Sequence, residues 1–317
     1  MSRIACLGVL VADVVGKPID ALPKRGTLEL IDRIELHIGG NAANTAGALA
    51  RLGPSARLVG KVGDDNFGAF LVGALERLGV DTRAVARATD GTPTPCSLVT
   101  VHSDAERSFL HAPGTNATLT EADIAWELLE GVQLFHVAGL QLLVALEGEG
   151  VGRVLAAARA RGMTTLLDTV MNPRSQGWAG LAPALPHLDW FVPSFEEVRA
   201  LTGETTVEAQ VAMLRAHGAS NVAVKCGGEG CYIAPHEGAA FTVPSFAVPV
   251  VDTLGAGDSW CAGFLTGLLH DWPLERTARF ANAVGACCVQ ALGATPGIRT
   301  VDETLALYFP EPRSVSA

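Results

Sequence analysis

Between residues 134 and 234 the chain repeats one pattern, a short apolar run followed by a stretch of helical period. Leu134–Val137, Thr164–Leu167, Trp190–Val192 and Asn221–Cys226 are the runs, with Cys231–Ala234 closing the series. Between them, 144–161, 194–201 and 206–217 place apolar residues at helical spacing. Residues 3–10, R-I-A-C-L-G-V-L, form one more apolar run at the start of the chain. Strands with no polar face belong to a sheet covered on both sides. Strand–helix alternation with right-handed crossovers therefore predicts an α/β fold: a doubly wound, mostly parallel sheet flanked by helices. No internal repeat or low-complexity linker divides the chain, so 1–317 reads as one domain, and 49% hydrophobic residues are ample for its core.

A second pattern bears on chemistry. The apolar run Phe246–Val251 leads into D-T-L-G-A-G-D at 252–258, and a helix then opens with Trp260, Cys261, Phe264 and Leu265 on one face. Gly255, Ala256 and Gly257 let the backbone approach a ligand, and a helix start offers free N–H groups and a positive dipole end, so this turn is a candidate anion hole. Asp258 stands in its mouth, where the dipole favours the ionised form. A base beside an anion hole suits phosphoryl transfer to a hydroxyl; an Asp in a helix's first turn is also an ordinary cap. Asp13 and Asp168 follow apolar runs, at the sheet edge where open α/β sheets bind ligands; the first faces an acceptor, the second phosphate or Mg²⁺-bound water. Gly39-Gly40 makes a turn, and Asn41 and Asn44 lie in the first turn of the next helix, ready either to cap it or to hydrogen-bond a polyol. Lys225 ends an apolar run, and a buried lysine needs a partner such as a triphosphate.

Two further segments stand apart. Thr27–Ile38 alternates, Leu28, Leu30, Ile34, Leu36 and Ile38 against Glu29, Arg33, Glu35 and His37, which predicts a strand with one apolar and one wet face. Thr94–His102 and Arg107–Ala112 are two short strands joined by a turn at Ser103–Glu106. These pieces predict a small β-sheet lid formed discontinuously by about 14–38 and 92–113, shielding the site from water. Arg107, Phe109 and His111 share one face of the lid; substrate contact, assigned here to Arg107, and a solvated face both fit.

The D-T-x-G-A-G-D string resembles the second signature of the ribokinase-like (PfkB) carbohydrate kinase family. G-G-x-x-x-N at 39–44, R-L-G at 51–53 and G-x-V-G-D-D-x-F-G at 60–68 resemble the first. The resemblance runs from the first strand through Gly293. It implies a ribokinase-like fold and ATP-dependent, Mg²⁺-assisted phosphorylation of a hydroxyl of a small sugar. In it Asp258 is the general base and Gly255, Ala256 and Gly257 the anion hole. Asp13, Gly39, Gly40, Asn41 and Asn44 bind the acceptor, while Ser194, Lys225, Gly227, Gly230 and Asn282 lie along ATP. Glu197 orders Mg²⁺ through water, and Asp252 with the 288–294 loop matches a monovalent-cation site, that of K⁺. The family's N-x-x-E reads here as Ser194-x-x-Glu197, which replaces a carboxamide by a shorter single donor. Cations for a second phosphate are few, Lys17, Arg33 and Arg107, which favours an unphosphorylated sugar. A nucleoside is the alternative acceptor, with Phe109 and Leu110 as its stacking surface. A catalytically weak sugar-binding sensor is a third reading, toward which only Ser194 leans.

The net charge of −10 argues against nucleic acid or an anionic membrane as partner. No apolar run is long enough to span a membrane. Seven cysteines without metal spacing, Cys287 and Cys288 in a core pattern, and no secretory signal point to a reducing cytoplasm. Walker, G-x-G-x-x-G, H-E-x-x-H and G-x-S-x-G motifs do not occur at the required places. The lid's apolar face needs a cover, which either a second copy's lid in a homodimer or the ligand and main domain would supply.

Overall fold

The computed structural model describes residues 2–104 and 106–309; Ala105, within the predicted hairpin turn, lies outside them. The chain enters the centre of a large sheet as β1 (Ile4–Gly8), then leaves it for a small one as β2 (Val11–Lys17) and β3 (Arg33–Gly39). It returns through α1 (Asn41–Leu52), β4 (Ala56–Val62), α2 (Asn66–Arg77) and β5 (Asp81–Arg87), and completes the small sheet with β6 (Cys96–Val101) and β7 (Arg107–Ala112). The remainder belongs to the large sheet and its helices: β8 (Leu134–Ala138), α3 (Glu149–Ala160), β9 (Thr164–Leu167), α4 (Trp178–Leu181), β10 (Trp190–Phe191), α5 (Phe195–Thr202), α6 (Val207–Ala216), β11 (Asn221–Lys225), β12 (Cys231–Ala234), β13 (Phe241–Val243), α7 (Ala256–Leu269), α8 (Leu274–Cys288) and α9 (Val301–Tyr308).

The large sheet has the order β13-β12-β11-β10-β9-β8-β1-β4-β5. It is parallel from β11 to β5, with β12 and β13 antiparallel at one edge. Alternation along β1 shows why helices cover both faces. Ile4 and Cys6 enter one core with residues of α1, α7 and α8, whereas Ala5 and Leu7 enter the other with residues of α3. The predicted doubly wound sheet is thus present, although β4 and β5 were not among the expected strands. Helix α3 begins at Glu149, later than its apolar spacing predicts, because Gly148 takes a left-handed φ of 75° just before it.

The small sheet has the order β3-β2-β6-β7. It corrects two expectations. Asp13 is not on a loop beyond the first strand but within β2, a lid strand. The alternating segment forms a ladder only over Arg33–Gly39, and Leu28 and Leu30 are exposed outside it. Register sorts the side chains into two faces, since residues opposite one another in neighbouring strands share a face. His37, Asp13, Ser97 and His111 form one row across the sheet; Leu36, Val14, Leu98 and Leu110 form the next, on the other face.

Leu10 joins the two sheets and is tied from afar. Its N–H donates to Asn116 Oδ1 at 3.2 Å, and its carbonyl accepts from Asn116 Nδ2 at 3.0 Å. Asn116 is buried. Asn116→Ala strands two buried backbone groups, so we expect a loss of about 2–4 kcal/mol in unfolding free energy, measured by urea denaturation.

Candidate active site

The two sheets enclose a cavity of about 1130 Å³. Asp13, Ser97 and His111 of the lid's polar row, the start of α1, the start of α7 and the turn after β11 all line it. Its centre is the first turn of α7. Gly255 caps this helix with φ 73°, and a Cβ there would lie 2.4 Å from Ala294 Cβ, so the turn admits only glycine. Of the three residues expected to form the anion hole, Ala256 turns its N–H back onto Thr253 O at 3.2 Å. The N–H groups of Gly257 and Asp258 are those a helix start leaves without an intrahelical acceptor. Lys225 Nζ would be 3.5 Å from a Cβ on Gly257, which places an ammonium beside the same turn.

Asp258 is buried and held at both oxygens. Asn41 Nδ2 donates to Oδ1 and Asn44 Nδ2 to Oδ2, each at 2.9 Å. The two carboxamides expected to hold the acceptor therefore hold the proposed base. They reach it because α1 starts at Gly40, where φ is 94° and a Cβ would strike Val9 O at 2.4 Å. Burial pushes the pKa of Asp258 above the ordinary aspartate value, while Asn44, Asn41 and Lys225 oppose the rise. Desolvation is the largest of these influences on the carboxylate.

At the lid end, burial also raises the pKa of Asp13, against a hydrogen bond from Ser97 and the charges of His37 and Arg107. Gly39 leaves the space for this carboxylate, since a Cβ there would lie 2.0 Å from Asp13 Oδ2. Ser97 Oγ lies 3.1 Å from His111 Nδ1, and burial holds His111 below the usual histidine value. Ser97, Phe109 and His111 line the cavity, but Arg107 does not reach it. The Arg107 guanidinium instead meets Asp252 Oδ2 at 2.8 Å. Gly293 N–H donates to the same oxygen at 2.8 Å and Leu254 N–H to Oδ1 at 3.0 Å, so the carboxylate assigned to a monovalent cation already has three donors.

Beyond α7 the pattern is one of committed polar groups. Lys225 donates to the buried Asp168 Oδ2 at 2.6 Å, so Asp168 is the partner that explains the lysine's burial. Burial works against the Lys225 ammonium, but Asp168, Cys261 and Glu197 hold its pKa above the ordinary lysine value. Glu197 accepts from Ser194 N–H at 2.8 Å and from Thr169 Oγ1 at 2.9 Å, while Ser194 Oγ accepts the Glu197 N–H at 3.4 Å. Ser194 therefore serves as the N-cap of α5 in a capping box. Glu197 lines the cavity and, among the described residues, takes part in no ion pair, which suits a carboxylate that touches an Mg²⁺ ion carried by nucleotide phosphates through water. Gly227, Gly228 and Gly230 line the opposite wall with Phe246, Ala247 and Val248. A Cβ on Gly230 would lie 2.0 Å from Val243 O. Asn282 also borders the cavity, but its Nδ2 donates to Val243 O and Pro244 O at 3.0 Å and its Oδ1 accepts from Trp260 Nε1 at 2.8 Å. It braces the wall rather than offering a free group.

Three contributors escaped the sequence reading. Ser97 shows itself only through cross-strand register. Thr169 is visible only through its bond to Glu197. The 246–248 wall reads as an approach to the motif and not as part of the site.

Residues 1–301 match the family described as "pfkB family carbohydrate kinase". Among curated proteins, the 2-dehydro-3-deoxygluconokinase of Bacillus subtilis is 31% identical over 92% of this chain and 92% of its own length. Fructokinase-1 of Oryza sativa subsp. japonica is 34% identical over 85% of this chain and 87% of its own. Among solved structures, Arabidopsis thaliana ribokinase complexed with ribose and ATP superposes with a TM-score of 0.83 at 25% identity, covering 97% of this chain and 99% of that one.

Because Asp258 must be ionised to accept a proton and burial raises its pKa, we expect the acid limb of kcat/KM to lie above the ordinary aspartate value of about 4. Asn44→Ala removes a donor to the carboxylate and should move that limb to higher pH. A pH–rate profile of both proteins checks this.

Proposed function

The chain belongs to the pfkB carbohydrate kinase family, a phosphotransferase using ATP on a sugar hydroxyl, and we propose that its acceptor is a small uncharged sugar. The observation that carries this reading is Asp258, fixed by Asn41 and Asn44 at the start of α7 and facing the cavity between lid and sheet. In the reaction Asp258 takes the proton of the acceptor hydroxyl as that oxygen attacks the γ-phosphorus, and the bond from phosphorus to the ADP leaving oxygen breaks. The N–H groups at the start of α7, with Lys225 beside them, meet the charge on the transferring phosphoryl group. Mg²⁺, when bound with the nucleotide, neutralises phosphate charge, and Glu197 is the residue to order its water. Asp13, placed by Gly39 and steadied by Ser97, accepts hydrogen bonds from the acceptor's other hydroxyls, and His111 adds a neutral imidazole.

The preference for a neutral acceptor rests on charge. Asp13 and Asp258 border the acceptor end of the cavity. Among the described residues, the nearby cations Lys225 and Arg107 each already pair with a carboxylate. A sugar acid or sugar phosphate would bring a further negative charge there, and like-charge contacts cost several kcal/mol. The same cavity is open to ribosyl hydroxyls, so nucleosides belong in the acceptor panel.

We also place the protein in a reducing cytoplasm as a homodimer. The seven cysteines are free thiols, which suits that compartment, and no helix among the described residues is long and apolar enough to cross a membrane. The outward row of the lid leaves Leu36, Leu98 and Leu110 exposed beside Ile34, an apolar face that a second lid would cover.

ATP consumption with Mg²⁺ across neutral sugars, sugar acids, sugar phosphates and nucleosides tests the reading. We expect the highest kcat/KM on a neutral sugar, at least about tenfold above its carboxylate counterpart. Asp258→Asn should lower it by about 10²–10⁴-fold or more. A sugar acid as the best substrate contradicts the charge argument, and turnover unaffected by Asp258→Asn removes the mechanism. For the dimer, we expect sedimentation velocity to show twice the chain mass, and Leu98→Asp with Leu110→Asp to give the monomer.

A further inference from the structure

The cation site implied by the family pattern does not fit this chain, because another group holds its carboxylate. Asp252 Oδ2 receives the Gly293 N–H and the Arg107 guanidinium, both at 2.8 Å, and Oδ1 receives the Leu254 N–H at 3.0 Å. The Asp252 side chain is 6% exposed and that of Arg107 20%, so this ion pair is largely sheltered from solvent. A K⁺ ion on the same carboxylate would sit beside a guanidinium and meet an oxygen pair whose lone pairs are mostly taken. We propose that Arg107 supplies from the lid the fixed positive charge at Asp252 that a monovalent cation would supply, which makes Arg107 a positioning residue and the protein independent of K⁺.

The connections of Asp252 explain what is positioned. Leu254 directly precedes Gly255, the cap of the anion-hole helix. Gly293 precedes Ala294, whose Cα would lie 2.9 Å from a Cβ on Gly255 and whose carbonyl accepts from Ser259 Oγ at 3.3 Å. One carboxylate thus joins the turn that forms the anion hole, the loop packed beneath it and strand β7 of the lid. Removing the guanidinium releases the lid from this node and leaves a largely buried carboxylate short of charge. An ion of the right size then has a reason to bind.

Two measurements test the proposal, both with K⁺ replaced by tetramethylammonium at equal ionic strength. The first is thermal unfolding of the protein without substrates, which does not depend on the kinase reading. We expect K⁺ to leave the wild-type Tm unchanged and to raise that of Arg107→Met; a K⁺-dependent rise of more than about 2 °C in the wild type overturns the proposal. The second is kcat/KM with the best acceptor, and it does rest on the kinase reading. We expect less than a twofold response to K⁺ in the wild type. Arg107→Met should lose about tenfold or more, as for a charged hydrogen bond, with part of the loss restored by K⁺, while Arg107→Lys retains most of the rate. An Arg107→Met protein that loses rate without any response to K⁺ shows a merely structural contact and also overturns the proposal. Absence of turnover with every acceptor refutes the kinase reading alone, and the unfolding result then decides.

Discussion

A carboxylate proposed to act as a base has to be kept available for a proton although it is buried. Burial raises the pKa of Asp258, and the protein answers with two carboxamides instead of a neighbouring cation in direct contact. The choice matters. An arginine on the carboxylate would lower its basicity far more than two amide donors do. The cost is architectural, because both donors lie more than two hundred residues away in sequence. Helix α1 must therefore start with its first turn against the first turn of α7, and the glycine at position 40 is what lets it start there. The two motifs read separately in the sequence are, in space, the two halves of one device.

The lid obeys a related constraint. On the proposed reading its polar face meets a polyol, and its position has to be reproducible when the acceptor is present. Register handles the first: a shift of one residue would exchange the row of His37, Asp13, Ser97 and His111 for the row of Leu36, Val14, Leu98 and Leu110. The second rests on long-range ties, Asn116 to Leu10 at the junction of the sheets and Arg107 to Asp252 at the far edge. Both ties end on buried or half-buried backbone and carboxylate groups, which are costly to leave unpaired.

The large sheet was legible in the sequence because its strands are apolar on both faces and separated by helical periods. Thr164–Leu167 and Cys231–Ala234 agree with the structure residue for residue. The alternating strand of the lid was legible for the complementary reason, though only Arg33–Gly39 pairs. The failures share a cause. Asp13 looked like a loop residue because β1 and β2 run almost continuously, and nothing local says that Val11–Lys17 belongs to another sheet. Asn41, Asn44, Asp168, Lys225, Asp252 and Arg107 were all singled out, but their partners were not, since a side chain's partner is set by tertiary distance. Lys225 was expected to await phosphate and is held by Asp168; Arg107 was expected to touch substrate and holds Asp252. Composition shows which groups need a partner, and only the fold shows which of them has already found one.

That distinction bears on how an acidic protein handles a polyanion. Asp13, Asp168, Glu197 and Asp258 all border the cavity, and Lys225 is the one lysine or arginine among its described lining residues. Its charge is shared with Asp168, so the pair contributes little net field at a distance. What would remain for the phosphates on the proposed reading is short-ranged: N–H groups at the start of α7, the glycines after β11, and whatever charge a nucleotide brings as its own Mg²⁺. Each acts only on a group seated within hydrogen-bond distance. Elsewhere the described lining offers carboxylates and neutral polar groups such as Ser97, His111 and Asn172, with no further lysine or arginine. On the proposed assignment, negative charge is admitted at one end, where backbone dipoles converge, and resisted at the other, where Asp13 and Asp258 are proposed to receive hydroxyls. The polarity proposed for the cavity, with a donor end for phosphate and an acceptor end for alcohols, rests on which side chains are already paired and not on the overall charge of the chain.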